Sequence, residues 1–171
     1  MSATTIDTER LRLRGFRNDD AEELGRLYVD PEIMRHLPGY PSNFDGCLAR
    51  ARGDIATYNA HWERHGYGIW AVEDRAERRL VGRCGLRWLD EFSAVELLYM
   101  FDKTHWRRGF ATEAAARAIA FGQGERRLGK LIGLTLPENT ASRRVLEKSG
   151  FAYLRHTQFR NHTVLLFERG K

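Results

Sequence analysis

The chain has 171 residues, of which 42% are hydrophobic and 30% are charged, and this balance is typical of a globular protein rather than a disordered one. No apolar run approaches the ~18 residues needed to span a membrane, so we expect no membrane partner. The net charge of +5 suits an anionic ligand, although an ordinary solubilising surface also explains it.

The start of the chain and its two cysteines indicate the compartment. Residues 1–8 have neither the basic nor the apolar region of a secretory signal. Cys47 and Cys84 lie far apart and neither belongs to a CxxC pair, so we expect two free thiols. Both observations predict a cytoplasmic protein.

The first third of the chain is predicted to be mostly helical. Asn18 or Asp19 can cap a first helix, and Pro31 suits the first position of a second. Gly66 can end a third, longer helix. The predicted elements are a strand at 11–16 and helices starting near 19, at 31 and at Phe44–His65.

The periodicity then changes to that of strands alternating with helices. Strands are predicted at 67–73, 80–88, 94–102, 130–136, 153–156 and 164–169, and helices at 112–121 and 140–149. This order predicts an α/β fold with one twisted mixed sheet and helices on both faces, in a single domain covering residues 1–171 with its core at about 8–168. The strand–helix–strand run from Ala94 to Leu136 predicts a parallel pair.

Two turns that follow these parallel strands carry the strongest functional signals. Gly109 and Ala111 permit close backbone approach just before an alanine-rich helix, whose free N–H groups form a natural phosphate cradle. Arg107 and Arg108 add positive charge there. Asn139 or Thr140 can cap the second helix, with Ser142 in its first turn. Each turn alone is also explained as a structural cap, but ligands bind where such turns meet at one edge of an α/β sheet.

Three motifs in this order resemble the GCN5-related N-acetyltransferases (the GNAT family). His105–Ala114 (HWRRGFATEA) is similar to the family's pyrophosphate motif, and Asn139–Phe151 (NTASRRVLEKSGF) to its second coenzyme A element. Thr8–Arg14 and Asp30–Arg35 are similar to its ribosomal-protein N-terminal acetyltransferase branch. Trp106 occupies the position where the general motif has Gln or Arg.

The resemblance implies a GNAT-type domain in which the parallel strands splay apart to admit acetyl-CoA. It implies that the backbone of Met100 and Phe101 pairs with the pantetheine and that Asn139 bonds the same arm. Ser142 would sit near the thioester sulfur. The diphosphate would be held by the backbone of Arg107, Arg108, Gly109, Phe110, Ala111 and Thr112.

The implied reaction is direct attack of an amine on the thioester. The amine must lose a proton, and Glu96 is our candidate base, through water, because a carboxylate on an otherwise apolar strand needs a partner or a cleft. A salt bridge to an arginine is the alternative for Glu96. Ser142 is the candidate donor to the departing sulfur, with Tyr99 and Tyr153 as weaker candidates that packing also explains.

The acceptor is less well defined than the donor. The resemblance implies a protein N-terminal α-amino group, and small amines such as polyamines or antibiotics are the alternative. A non-catalytic acetyl-CoA sensor is a further one. Aromatic residues that could line the acceptor groove are Tyr40, Tyr58, Trp62 and Phe159.

Other partners receive little support from the sequence. We expect no metal, because the His61–His65 pair lacks the glutamate of a zinc-protease motif. A solvated strand face explains Arg12, Arg14 and Arg17 better than RNA binding does, so we expect no nucleic acid. The resemblance allows a homodimer.

Overall fold

A computed structural model describes residues 3–37 and 39–170 as one α/β domain. An eight-stranded mixed sheet has the order β1-β2-β3-β4-β5-β6-β8-β7, in which β5 and β6 are the parallel pair. The strands are β1 (Ile6–Asp7), β2 (Leu11–Arg14), β3 (Ile69–Asp74), β4 (Arg79–Leu89), β5 (Ala94–Phe101), β6 (Leu131–Thr135), β7 (Ala152–Phe159) and β8 (His162–Arg169). The helices are α1 (Asp20–Val29), α2 (Pro31–Met34), α3 (Phe44–His65), α4 (Phe110–Ile119) and α5 (Thr140–Lys148).

Strand alternation divides the core between the two faces of the sheet. On one face, Leu97 and Phe101 of β5 pack with the alanines of α4 and with Leu146 of α5. On the other face, Leu98 and Met100 pack with the apolar sides of α1, α2 and α3. Helices therefore cover both faces, as the sequence predicts.

The long helix α3 has the predicted bounds because both of its ends carry strong signals. The Asn43 side chain accepts a hydrogen bond from the Gly46 N–H at 2.8 Å. Gly66 adopts the left-handed conformation, with φ of 70°, and donates its N–H to the Trp62 carbonyl. Cys47 and Cys84 are buried free thiols, as predicted.

Two features near the start of α1 differ from the prediction: the side-chain cap at Asn18 or Asp19 is not formed, and Arg14 is buried. No side chain of the described residues caps α1 at Asp19; instead the buried Asp20 carboxylate binds Arg14 at 2.8 Å and accepts the Arg17 N–H at 2.7 Å. Arg14 also binds Glu73 at 2.9 Å, so it lies within the fold and not on a solvated face. The ion pairs supply the charges that make its burial tolerable.

The last hairpin is longer than the sequence predicts. Arg160 and Asn161 both adopt positive φ, 47° and 65°, which is the two-residue turn that matches strand twist. The exposed edge strand β7 carries polar residues on both faces, so its periodicity is weak. None of the helices in the described part of the chain has the length and apolar composition of a membrane span.

His61 connects α3 to the sheet and makes stability depend on pH. Its Nδ1 lies 2.8 Å from the Tyr67 carbonyl, and its Nε2 accepts the Trp88 N–H at 3.1 Å, which requires a neutral ring. Burial lowers the pKa of His61, so the unfolded chain binds the proton more readily.

We therefore expect stability that is present above the unfolded pKa of about 6.5 and lost as the pH falls below it. Urea unfolding at several pH values between about 5.5 and 7.5 measures this slope, and His61→Gln should flatten it. An equal slope in the two proteins would show that another group is responsible.

Candidate active site

The parallel strands β5 and β6 pair only at their first residues and then separate. Among the described residues, the two strands match at Val95 with Leu131 and at Glu96 with Ile132. Beyond that point β5 continues along β4 and β6 continues along β8. A wedge therefore opens between them, lined on one side by the edge of residues 97–101.

The register of β5 decides which backbone groups face this wedge. The Asp102 N–H donates to the Val81 carbonyl at 2.8 Å, and hydrogen-bonded pairs alternate along an antiparallel ladder. Met100 is thus hydrogen-bonded to Arg83 of β4, whereas the polar groups of Tyr99 and Phe101 point toward the wedge. The Met100 backbone is thus paired with β4, and its predicted contact with a ligand stays a prediction.

One of the two backbone polar groups of Phe101 is already used within the protein. Its carbonyl accepts the Trp106 indole N–H at 2.8 Å, which leaves the Phe101 N–H as its group for a ligand. Trp106 therefore closes the loop onto the end of β5 at the position where the general family motif has Gln or Arg.

The loop between β5 and α4 concentrates backbone donors. Arg107 and Gly109 adopt positive φ, 60° and 81°, on either side of Arg108. Such alternation turns successive N–H groups toward one concave side, which suits an anion. The described residues provide no side-chain cap for α4, so its first N–H groups, from Phe110 to Thr112, are available. The Phe110 side chain is buried, so only its backbone can contribute.

Arg10 and Glu113 hold this loop in place, and the sequence reading did not identify them as site residues. Arg10 binds Glu113 at 2.7 Å and donates to the Arg108 carbonyl at 2.8 Å. Glu113 also accepts the Thr8 hydroxyl at 2.6 Å. Thr8 and Arg10, from the opening motif, and Glu113, from α4, thus stabilise the same loop through one set of hydrogen bonds. Only the separation of ~100 residues in the chain concealed their connection.

The buried ring of His105 lies beneath the same loop. Its Nε2 is 3.4 Å from Asp74 and 3.5 Å from Glu77, and its Nδ1 is 2.9 Å from the Thr104 hydroxyl. The ligand atoms of His105, Asp74 and Glu77 lie within 4.8 Å of one another. The absence of a metal stays a prediction.

The start of α5 faces β5 across the wedge. Asn139 caps α5 by accepting the Ser142 N–H at 3.0 Å, which leaves its amide N–H groups for a ligand. The Tyr99 hydroxyl lies 3.0 Å from the Ser142 hydroxyl and donates to the Ser142 carbonyl at 2.9 Å. Burial raises the pKa of Tyr99, so this phenol stays protonated. Tyr153, the other tyrosine candidate, is half-exposed on β7 and lies 2.8 Å from His156.

Glu96 lies on the opposite face of β5 from Tyr99. It is 4% exposed and binds Arg87 of β4 at 2.6 Å, so the salt bridge anticipated as an alternative is present. Burial raises the pKa of Glu96, although Arg87 opposes the shift. A carboxyl with a raised pKa is a stronger base than an ordinary glutamate, so the ion pair does not exclude a role in proton transfer.

The aromatic residues predicted for an acceptor groove separate into two groups. Trp62 is 1% exposed and Tyr58 is 7% exposed, so both are core residues. Tyr40 and Phe159 are half-buried. The face that holds Glu96 therefore has fewer exposed aromatics than the sequence suggests.

Together, these residues form a site with two faces. Donors from the loop at 107–112 and from Ser142 with Tyr99 lie toward α4 and α5, and a carboxylate with raised pKa lies toward α3. The Ser142 and Tyr99 hydroxyls and the Glu96 carboxylate therefore lie toward opposite faces of β5.

Comparisons with known proteins identify the family of this chain. The domain model of the acetyltransferase (GNAT) family matches residues 10–152. The uncharacterized protein YkkB of Bacillus subtilis is 33% identical, with 97% of this chain and 95% of that protein covered.

Two solved structures share the fold. An acetyltransferase from Agrobacterium tumefaciens has a TM-score of 0.86 at 23% identity, covering 100% of this chain and 96% of that one. RimL, a ribosomal L7/L12 alpha-N-protein acetyltransferase solved with coenzyme A, has a TM-score of 0.80 at 13% identity, covering 98% of each chain.

Proposed function

The chain belongs to the GNAT acetyltransferase family, and from this membership we propose that it transfers the acetyl group of acetyl-CoA directly to a primary amine. The observation that carries the proposal is the wedge between β5 and β6, which opens beside the backbone donors of residues 107–112. A protein N-terminal α-amino group is the first candidate acceptor. The fold shared with RimL supports this choice.

The chemistry of the residues at the site supports binding of acetyl-CoA. The diphosphate would lie against the N–H groups of the loop, where Arg107 and Arg108 add charge. The pantetheine would lie along the open edge of β5, beside the free N–H of Phe101 and the Asn139 amide. Bound there, acetyl-CoA supplies an activated acyl group.

The side chains would then manage the protons. Glu96, directly or through a water, accepts the proton that the amine must lose. With acetyl-CoA bound, the Ser142 hydroxyl would turn from Tyr99 and donate its hydrogen bond to the departing sulfur, which needs modest help because a thiol has a pKa of about 8.5. A free N–H at the wedge edge of β5 can stabilise negative charge on the carbonyl oxygen.

The test is release of free thiol from acetyl-CoA in the presence of a panel of amines. The panel contains N-terminal peptides, polyamines, aminoglycosides and single-amine compounds, and mass spectrometry identifies the acetylated nitrogen. Acetylation of one class supports the proposal. Tight acetyl-CoA binding without acetylation of any amine would favour the sensor alternative.

Tyr99→Phe is expected to lower kcat about tenfold, roughly the contribution of one hydrogen bond, with acetyl-CoA affinity unchanged. The reason is that Tyr99 orients the Ser142 hydroxyl and has no other polar partner among the described side chains. Steady-state kinetics and calorimetry measure the two effects.

The double variant with Ser142→Ala is the control for this interpretation. If Tyr99 acts through Ser142, the double variant should be no slower than Ser142→Ala alone. Effects that multiply would assign Tyr99 an independent role.

A further inference from the structure

Arg83 is a buried cation on the face of the sheet that holds Glu96. It lies in β4 opposite Met100, four residue pairs along the ladder from the pair formed by Arg87 and Glu96. Its side chain is 8% exposed, beneath Tyr40 of the segment between α2 and α3. Arg83 is also close enough to Glu96 to lower the pKa of that carboxyl.

This guanidinium lacks a close anionic partner among the described residues. Its nearest polar contacts are the Tyr40 hydroxyl at 3.4 Å and the Asp54 carboxylate at 3.8 Å, and its Nε has no partner. Charge-assisted hydrogen bonds of arginine are ordinarily about 2.7–2.9 Å long. Leaving a charge buried without such bonds is strongly unfavourable.

Asp54 does not fully neutralise Arg83, because its carboxylate already binds two other side chains. It accepts the Tyr28 hydroxyl at 2.7 Å and binds Arg50 at 2.9 Å. Two guanidinium groups therefore share one carboxylate, and the cluster retains one uncompensated positive charge. The rings of Tyr28 and Tyr58 lie 5.5 and 5.6 Å from the Arg83 guanidinium. Because both rings are uncharged, they do not neutralise its positive charge.

We propose that Arg83 binds a carboxylate of the acceptor, so that the substrate is an amine that also carries a carboxylate. This inference rests on the proposed function, since the amine of the same molecule would lie near Glu96. A polycationic acceptor would meet Arg83 and Arg87 on this face and be repelled. The antiparallel ladder places these two residue pairs about 13 Å apart, so the amine and the carboxylate of the acceptor would be separated by several bonds.

The experiment compares acceptors that differ only in this charge. The pairs are 6-aminohexanoate with 6-aminohexanamide, and triglycine with triglycinamide. In the wild type we expect kcat/KM to be at least tenfold higher for the acid than for the amide in at least one of the two pairs. Arg83→Met should abolish this preference in the folded protein.

Two variants control for charge and for folding. Arg52→Met removes an exposed arginine of the same helix as Asp54 and should keep the preference. Arg83→Lys keeps the charge and should retain part of it. Equal rates with acid and amide in the wild type, or a preference that survives Arg83→Met, would overturn the inference, and the wild-type comparison requires no variant to fold.

Calorimetry on the protein loaded with coenzyme A separates this inference from the proposed function. If no amine is acetylated but the acids bind, and Arg83→Met loses that binding, the proposed function fails and the anion site stands. If acids and amides bind equally, or neither binds, the anion site is wrong.

Discussion

Gly109→Val is expected to abolish saturable acetyl-CoA binding, with the dissociation constant rising at least about a hundredfold, because the loop loses several N–H contacts together. Gly109 holds φ of 81°, where a β-branched residue is strongly disfavoured. A side chain there forces the loop out of the alternating conformation that aims its N–H groups at one point. Isothermal titration calorimetry measures the affinity.

The fold should survive this substitution. Forcing a side chain into the left-handed region costs about 1–2 kcal/mol, and a domain of this kind has ~5–15 kcal/mol of stability. A Cβ at Gly109 would lie 3.4 Å from the nearest atom, a terminal nitrogen of Arg10, so no backbone clash adds to that cost. Thermal melting by circular dichroism should therefore show a folded protein.

The matched control is Gly129→Val, at an exposed glycine where a Cβ would meet no atom within 4 Å. It should bind acetyl-CoA as the wild type does. A dissociation constant for Gly109→Val within threefold of the wild-type value would show that the loop is not the diphosphate site.

Glu96→Gln is expected to lower turnover by about 10²–10⁴-fold, the usual contribution of a general base, while acetyl-CoA affinity stays near the wild-type value. The amide keeps the shape of the side chain and an oxygen for Arg87, but it cannot take a proton from the amine. Glu91→Gln, at an exposed glutamate just before β5, is the matched control and should leave turnover unchanged.

The dependence of rate on pH distinguishes a base from a structural ion pair. Burial raises the pKa of Glu96, so the rate should fall with decreasing pH from a point above the ordinary glutamate pKa of about 4.3. Arg87→Met removes the cation that opposes this shift, so the acidic limb should move to higher pH. If Glu96→Gln retains turnover in the folded protein, its only role is the ion pair with Arg87.

Local sequence determined most of the elements of this protein and the two turns of its candidate site. The caps at Asn43 and Asn139 and the glycines at 66 and 109 act within one turn of chain, so the residue types alone predict the backbone there. Alternation along β5 likewise placed Glu96 and Tyr99 on opposite faces. For the same reason, the two-residue strand β1 could not be foreseen, since it is too short to show a pattern.

Only the tertiary structure decided which of these residues meet. The register of β4 against β5 turned the Met100 backbone away from the wedge, and no local pattern contains that register. Tyr99 reaches Ser142, and Arg10 reaches Glu113, across separations of 43 and 103 residues. The deficit of anions around Arg83 depends on three elements packing together. Local propensity specifies the path of the backbone, whereas side-chain partnerships depend on how distant elements pack, which a single sequence leaves unstated.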